Sequence, residues 1–211
     1  MNAAAHKHLA TVDPVMKRLI AEHGPCALEF QPRRSPFQSL VHAVAHQQLH
    51  GNAARSILER FKKLFPAKKF PAAEDLAGVT DQQMRACGFS FSKIAAIRDI
   101  AAKTLDGTIP SAAKIRKMAD EEIIVRLTEA RGVGRWTVEM LLIFQLGRTD
   151  VLPVDDFGVR NGFRIAYNKR GMPKPKALLV HGKKWRPHGT TAAWYLWRAA
   201  DAPKVSPKKK K

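Results

Sequence analysis

Alternating apolar and polar runs, the pattern a half-buried strand requires, are nearly absent from this chain, while helix punctuation recurs along it. Asp13-Pro14 sets a capping carboxylate before a proline at the first helical position, and Gly24-Pro25 stops the helix opened there. Ser35-Pro36-Phe37-Gln38 repeats the proline start and adds a capping box, in which the Gln38 side chain reaches back to the Ser35 amide. The helix it opens carries Phe37, Leu40, Val41, Val44 and Gln48 at three- and four-residue spacing, so one face is apolar. A further helix is expected from about Asn52 to Phe65, ending at Pro66. Thr80-Asp-Gln-Gln83 is another capping box, closed by Gly88. Ser90 or Ser92 then starts a helix through Ile94, Ile97 and Ile100 that ends before Gly107. Asp120 opens a segment with Ile123, Ile124 and Leu127 on one face, and Asn161-Gly162 sits between helical patterns rather than between strands. The chain reads as all-α, with about ten short helices and no repeat of solenoid period.

A chain of 211 residues, 45% hydrophobic and 26% charged, is neither a disordered tail nor a membrane protein. It is long enough for one domain or one compact body in two lobes. The longest apolar run, around Met140-Leu-Leu-Ile-Phe144, falls far short of the ~18–20 residues that span a bilayer. The start, Met-Asn-Ala-Ala-Ala-His, lacks the features of a secretory signal. Cys26 and Cys87 are too few for a disulfide framework or a four-thiolate cluster, which points to a reducing compartment. Against 18 acids stand 37 Lys and Arg, a net charge of +19. A surplus of that size implies a polyanionic partner, nucleic acid before acidic lipid. Residues 204–211 hold five lysines and no acid, and nineteen less those five still leaves +14 for the remainder. The tail reads as disordered and adds only nonspecific phosphate attraction.

The most informative stretch is Leu127-Thr-Glu-Ala-Arg-Gly132-Val-Gly134-Arg-Trp-Thr-Val-Glu-Met-Leu-Leu142: a helix, a tight turn with two glycines, then a helix. Glycines at alternate positions allow φ > 0 and bare amides, which with the second helix's N-terminus form a site for one DNA phosphate. Such a site positions a duplex without reading sequence. An ordinary helix–helix turn would carry the same glycines. Here the basic chain and the flanking Arg131 and Arg135 favour phosphate, and a second motif lies downstream: Asp150-Val-Leu-Pro-Val-Asp-Asp156-Phe-Gly-Val-Arg160. One acid before a helix is usually a cap; with two adjacent acids, one can cap while the other points elsewhere.

At these motifs the sequence resembles the helix-hairpin-helix DNA glycosylase superfamily, and within it the DNA-3-methyladenine glycosylase II branch. The resemblance is carried by Gly132-Val-Gly-Arg-Trp-Thr-Val-Glu-Met140, Leu146-Gly-Arg-Thr-Asp-Val-Leu-Pro-Val-Asp-Asp156, Trp185-Arg-Pro-His and Ala192-Ala-Trp-Tyr-Leu-Trp197. Upstream, Phe37-Gln-Ser-Leu-Val-His-Ala-Val-Ala-His-Gln-Gln-Leu49 and Gly88-Phe-Ser-Phe-Ser-Lys93 also fit, so it spans roughly residues 35–200. It implies two helical lobes with the active-site cleft between them. Residues 1–34 would be a helical segment packing on the core, 35–203 the glycosylase domain with its hairpin at about 120–146, and 204–211 the tail. The β-rich N-terminal domain of some relatives has no room before Pro36, so a short form is expected. The implied location is the cytoplasm, on the nucleoid during repair, or the nucleus in a eukaryote.

The resemblance implies that Asp156, from which the following helix runs, is the catalytic aspartate, with Asp155 in a cap or support role; a shifted turn would exchange them. Hydrolysing an N-glycosidic bond builds positive charge on the sugar, and a carboxylate 4 Å away is worth ~4 kcal/mol at an effective dielectric near 20. An alkylated purine is already cationic and leaves without protonation, so one carboxylate suffices. Electron-rich rings would select such a base by cation–π attraction. Trp136, Met140 one turn later, and Trp194, Tyr195 and Trp197 are candidates for the pocket, though any one of them could be a core anchor. His46, Gln47 and Gln48 complete the candidate pocket set; relatives usually have glycine at the His46 position. In bifunctional relatives resembling endonuclease III, a lysine nucleophile stands where this chain has Trp136, so no lyase activity is expected.

DNA contacts are assigned to Arg131, Gly132, Val133, Gly134, Arg135 and Thr137 at the hairpin, and to Phe91 and Lys93 upstream. Phe91 matches the position that fills the gap left by a flipped base, with Phe89 packed inward; the reverse arrangement and both in the core are the alternatives. The hairpin departs from the common Leu-Pro-Gly, having Ala130-Arg131-Gly132 instead. His42, His46 and His50 recur at four-residue intervals, but no nearby acid or thiol completes a metal site, and no metal is expected. No cofactor is expected either; a monovalent cation at the hairpin is the one ion left open. The expected partner is double-stranded DNA carrying alkylated bases, bound by a monomer with no membrane contact. The expected reaction is release of 3-methyladenine or 7-methylguanine type bases, leaving an abasic site. Hypoxanthine, uracil or oxidised guanine as the lesion, or a nonenzymatic DNA-binding protein in which Asp155 and Asp156 only cap, are the other readings.

Overall fold

The computed structural model describes residues 3–49 and 51–201, and among these every regular element is helical. The lysine-rich tail and His50 lie outside the described residues. Twelve α-helices are described, two more than the approximate count from sequence: α1 Ala3–Val12, α2 Pro14–His23, α3 Pro36–His46, α4 Gly51–Lys63, α5 Asp81–Ala86, α6 Phe91–Leu105, α7 Ala112–Ile115, α8 Asp120–Leu127, α9 Arg135–Phe144, α10 Phe157–Ala166, α11 Pro175–Gly182 and α12 Gly189–Asp201. Short 3-10 turns at Glu74–Gly78 and Lys183–Trp185 join them.

The caps explain the boundaries. The Asp13, Ser35, Thr80, Ser90 and Ser111 side chains each accept a backbone N–H of the turn they open, which satisfies one orphan donor. The box is reciprocal at Thr80, where Gln83 also accepts the Thr80 amide; at Ser35 the hydroxyl takes the Gln38 amide. Gly24 at φ 69° and Gly107 at φ 81° end α2 and α6 in the left-handed region that glycine tolerates best.

The chain divides into two compact units. One is Phe30–Gly147, which contains α3 to α9. Its core gathers Phe37, Leu40 and Val44 of α3, Ile94 and Ile97 of α6, and Val138 and Leu142 of α9, all buried. Phe61 sits edge-on to Phe89 at 5.5 Å in the same core. The other unit joins Met1–Glu29 to Arg148–Lys211. The boundary drawn at 34/35 from sequence therefore moves to 29/30, and the second half of the expected 35–203 domain belongs with the N-terminal helices. A buried carboxylate explains that pairing. Asp13 accepts from Val15 N as a cap, but also from the Tyr167 hydroxyl and from Trp185 Nε1 at 2.9 Å, and it meets Lys184 Nζ at 3.0 Å. Leu9, Met16 and Leu19 complete the join by packing with Phe163, Trp185 and Tyr195.

Candidate active site

Asp156 ends the loop 148–156 and caps α10. Its Oδ1 accepts the Val159 amide at 2.7 Å and the Trp197 indole N–H at 2.8 Å, and the residue is 9% exposed. The loop is held upstream by Asp150, which accepts Arg186 Nε at 2.7 Å and Gly189 N at 3.2 Å. Thr190 adds to this by accepting Val151 N and donating to the Arg148 carbonyl. Two close approaches bring α12 up to the aspartate. A Cβ on Gly162 would stand 1.8 Å from the Leu196 carbonyl oxygen, and one on Gly158 would stand 2.8 Å from Trp197 Cδ1. Only hydrogen at these two positions lets α10 and α12 approach until the indole reaches the carboxylate. Asp155, by contrast, is exposed and makes none of the cap's hydrogen bonds, so the cap role assigned to it from sequence falls to Asp156 itself.

The aromatic residues divide between core and site. Tyr195 is fully buried, donates its hydroxyl to the Gly24 carbonyl at 2.8 Å, and is removed from the pocket set. Burial raises its phenol to about 12. Trp194 packs edge-on to Tyr195 at 4.9 Å within the same core, with the Arg198 guanidinium 5.7 Å from its ring. It too is a core anchor. Trp197 is half-buried and belongs to the site, through its N–H on Asp156.

The hairpin lies in the other unit. Residues 128–134 link α8 to α9, and Gly132 at φ 73° is the one glycine of the pair in the left-handed region; Gly134 is extended at φ −93°. A Cβ on Gly132 would also lie 2.8 Å from Ala96 Cβ, so the turn presses onto α6. Gly132 and Gly134 are exposed while Val133 is buried, leaving bare backbone outward and the valine as the anchor. Gln47 ties the turn to the end of α3. Its Nε2 donates to the Gly132 carbonyl at 2.9 Å and to Thr137 Oγ1 at 3.0 Å, so the side chain expected in a base pocket serves the hairpin. Asp99 adds another tie by accepting the Arg131 amide at 2.7 Å.

Several expected DNA contacts are engaged within the protein. Thr137 is buried. Lys93 donates to the Ala45 and Gln47 carbonyls, both at 2.9 Å, closing the end of α3, and burial lowers its ammonium from the usual range. Arg135 forms a two-pronged pair with Glu121 at 2.8 and 3.0 Å and meets Glu139 at 3.2 Å. Those carboxylates raise its guanidinium. The Arg131 side chain remains exposed. Trp136 and Met140 are half-buried one turn apart on α9. His46 is half-buried and donates Nδ1–H to the His42 carbonyl, and Gln48 is exposed with φ 55°. Burial first, then the charges of Arg34, His46 and Lys62, push His42 down to about 3, and its ring stacks on Phe70. Phe89 is fully buried and Phe91 is 71% exposed.

Residues 41–187 match the HhH-GPD superfamily of base excision DNA repair proteins. The chain belongs to that superfamily. The DNA-3-methyladenine glycosylase 1 of Schizosaccharomyces pombe is 42% identical over 97% of this chain and 92% of its own length. A solved structure of S. pombe 3-methyladenine DNA glycosylase (Mag1) in complex with abasic DNA superposes with a TM-score of 0.89. It is 39% identical and covers 97% of this chain and 100% of the other. The DNA-3-methyladenine glycosidase of Bacillus halodurans superposes at 34% identity with a TM-score of 0.79, covering 95% and 90%. The all-helical architecture is thus the superfamily's, and the hairpin with its trailing aspartate falls inside the matched segment. Sequence reasoning missed the roles of Gln47, Asp99 and Gly158. No local signal marks them, since each acts on residues distant in sequence.

Proposed function

We propose that this protein is a monofunctional DNA glycosylase that flips cationic alkylpurines out of duplex DNA and hydrolyses their N-glycosidic bond, leaving an abasic site. The observation that carries this is Asp156: a nearly buried carboxylate, held by two N–H donors on one oxygen, in a chain of net charge +19. The names of its relatives, 3-methyladenine glycosylases among them, agree with it.

The basic surface and the outward amides of Gly132 and Gly134 grip the duplex backbone without regard to sequence. Phe91 fills the gap left by the flipped base. As the glycosidic bond lengthens, positive charge grows on the deoxyribose while the base takes the bonding pair and leaves neutral. Asp156 faces that charge, stabilises it, and accepts the proton of the attacking water. The base needs no proton, so no second acid is required and the scheme calls for no cofactor. Trp136 stands where an amine would be needed to form a Schiff base, so strand cleavage by β-elimination has no nucleophile there.

Asp156→Asn is the deciding variant. Asparagine keeps an oxygen for the Val159 and Trp197 donors, so the cap survives while the charge is lost. We expect DNA binding to persist and release of 7-methylguanine to fall by about a hundredfold or more, the scale of losing a major electrostatic contribution. Unchanged release sinks the assignment. A panel of single-lesion duplexes tests substrate class. If 3-methyladenine and 7-methylguanine stay in the DNA while hypoxanthine, uracil or oxidised guanine is released, the cationic-base mechanism is wrong.

A further inference from the structure

The exposed Phe91 does not stand alone. The Arg85 guanidinium carbon lies 4.5 Å from its ring centroid, and Arg85 Nη1 donates to the Phe89 carbonyl at 2.6 Å. That carbonyl is itself fixed, because the Phe89 ring is fully buried and edge-on to Phe61. The preceding turn is pinned as well: Arg60 Nε donates to the Cys87 carbonyl at 2.9 Å, and Gly88 takes φ 103°, a left-handed conformation that side chains rarely adopt, with Ile57 Cγ1 3.1 Å from where a Cβ would stand. Ser90 caps α6 directly before Phe91. An arginine anchored on a rigid carbonyl thus holds its planar cation against the face of a ring that would otherwise sample several rotamers in water.

We propose that Arg85 is the positioning residue of the base-flipping wedge: it holds the Phe91 ring in the orientation that enters the base stack, and this rests on Phe91 being that wedge. An unsupported phenylalanine would lose rotamer freedom on insertion, at the cost of affinity. With Arg85 in place, that ordering is done before DNA arrives. The cation does not obstruct insertion, since it covers one face only, and its charge suits a neighbouring phosphate once the ring is stacked.

The test is a duplex with a tetrahydrofuran abasic analogue beside 2-aminopurine, whose fluorescence reports unstacking, together with a duplex containing 7-methylguanine. The wild-type protein should raise the fluorescence and Phe91→Ala should not. Arg85→Ala should weaken the unstacking equilibrium by about two- to fivefold, the factor of an exposed cation–π pair. Arg85→Gln, which keeps a donor for the Phe89 carbonyl but no cation, should lose as much, and Arg85→Lys should recover part. In a Phe91→Ala background, where no unstacking is left to lose, the readout is affinity for the abasic-analogue duplex, and Arg85→Ala should cost nothing further in it. The same loss in that background would mean that Arg85 acts on phosphate alone, and a wild-type response from Arg85→Gln would mean that the cation is irrelevant; either overturns the proposal. No fluorescence change with wild type overturns the wedge and Arg85's role together. A fluorescence rise without release of 7-methylguanine leaves this pairing standing and sinks the glycosylase reading instead.

Discussion

Trp197 and Asp156, 41 positions apart in sequence, meet through one hydrogen bond of 2.8 Å on the same carboxylate oxygen that accepts the Val159 amide. One donor comes from the helix that Asp156 caps and the other from α12, so the carboxylate is oriented by two elements that cannot shift independently. A hydrogen bond to a charged group is worth about 1.5–3 kcal/mol. Trp197→Phe keeps an aromatic ring and removes the donor. With the Val159 amide still in place, we expect single-turnover release of 7-methylguanine to slow by roughly ten- to a hundredfold, the factor to which that energy range corresponds. Affinity for an abasic-analogue duplex should change by less than about twofold, because Asp156 acts on the reacting sugar rather than on the DNA backbone. Loss of affinity equal to the loss of rate would place Trp197 in substrate binding instead.

That hydrogen bond exists because α10 and α12 approach closely at Gly162. A methyl group there would overlap the Leu196 carbonyl oxygen at 1.8 Å, a clash with backbone that no rotamer change relieves. Gly162→Ala should lower the thermal midpoint and cost about 1–3 kcal/mol or more, the range for overpacking. A denaturant titration giving wild-type stability would show that the two helices are not held at this separation.

Much of this architecture is legible locally, and the reason is physical. Caps and left-handed glycines act within one turn of chain, so Asp13, Ser35, Thr80, Ser90, Gly24 and Gly107 mark their helix ends in the sequence itself. The inward Phe89 and outward Phe91 follow the arrangement that the family resemblance implies, which the local sequence alone leaves open to its reverse. What the sequence hides is partnership over distance. Nothing near Tyr195 says that its hydroxyl ends on Gly24, so a buried core tyrosine passes for a pocket aromatic. Lys93 and Arg135 look like phosphate ligands until the Ala45 and Gln47 carbonyls and the Glu121 carboxylate are found beside them. Composition counts charges; only the fold shows which of them are already spoken for.

Asp13 gives the fold a dependence on acid. Burial pulls its carboxyl upward, but hydrogen bonds from Tyr167, Trp185 and Lys184 overcome this and hold it down at about 2, against an ordinary 3.8. A carboxyl depressed in the folded state contributes stability that is present above its unfolded value and is lost as pH falls through its folded value. Stability should therefore decline between about pH 4 and pH 2, with Asp13 accounting for about 2 kcal/mol of the change. Urea unfolding midpoints at half-unit pH steps measure it. Asp13→Asn should be less stable at pH 7 and flatter across that window, and an equal slope in both proteins would dismiss Asp13 as the source.

The two hairpin glycines should fail differently. Gly132 combines φ 73° with Ala96 at 2.8 Å from any Cβ, whereas Gly134 has φ −93° and nothing within 4 Å. Gly132→Ala therefore strains the turn and pushes it off α6, at a cost of about 1–3 kcal/mol in stability. Its effect on DNA binding comes from the displaced turn, as would that of Gln47→Ala, which releases the Gly132 carbonyl and Thr137 from their shared donor. Gly134→Ala has room in the free protein and should fold with wild-type stability. Its methyl group stands on the exposed backbone where a phosphate must approach, so duplex affinity should drop while the unfolding midpoint holds. Filter binding to undamaged duplex, paired with thermal unfolding, separates the two cases. Wild-type affinity in Gly134→Ala would remove the hairpin amides from the DNA interface.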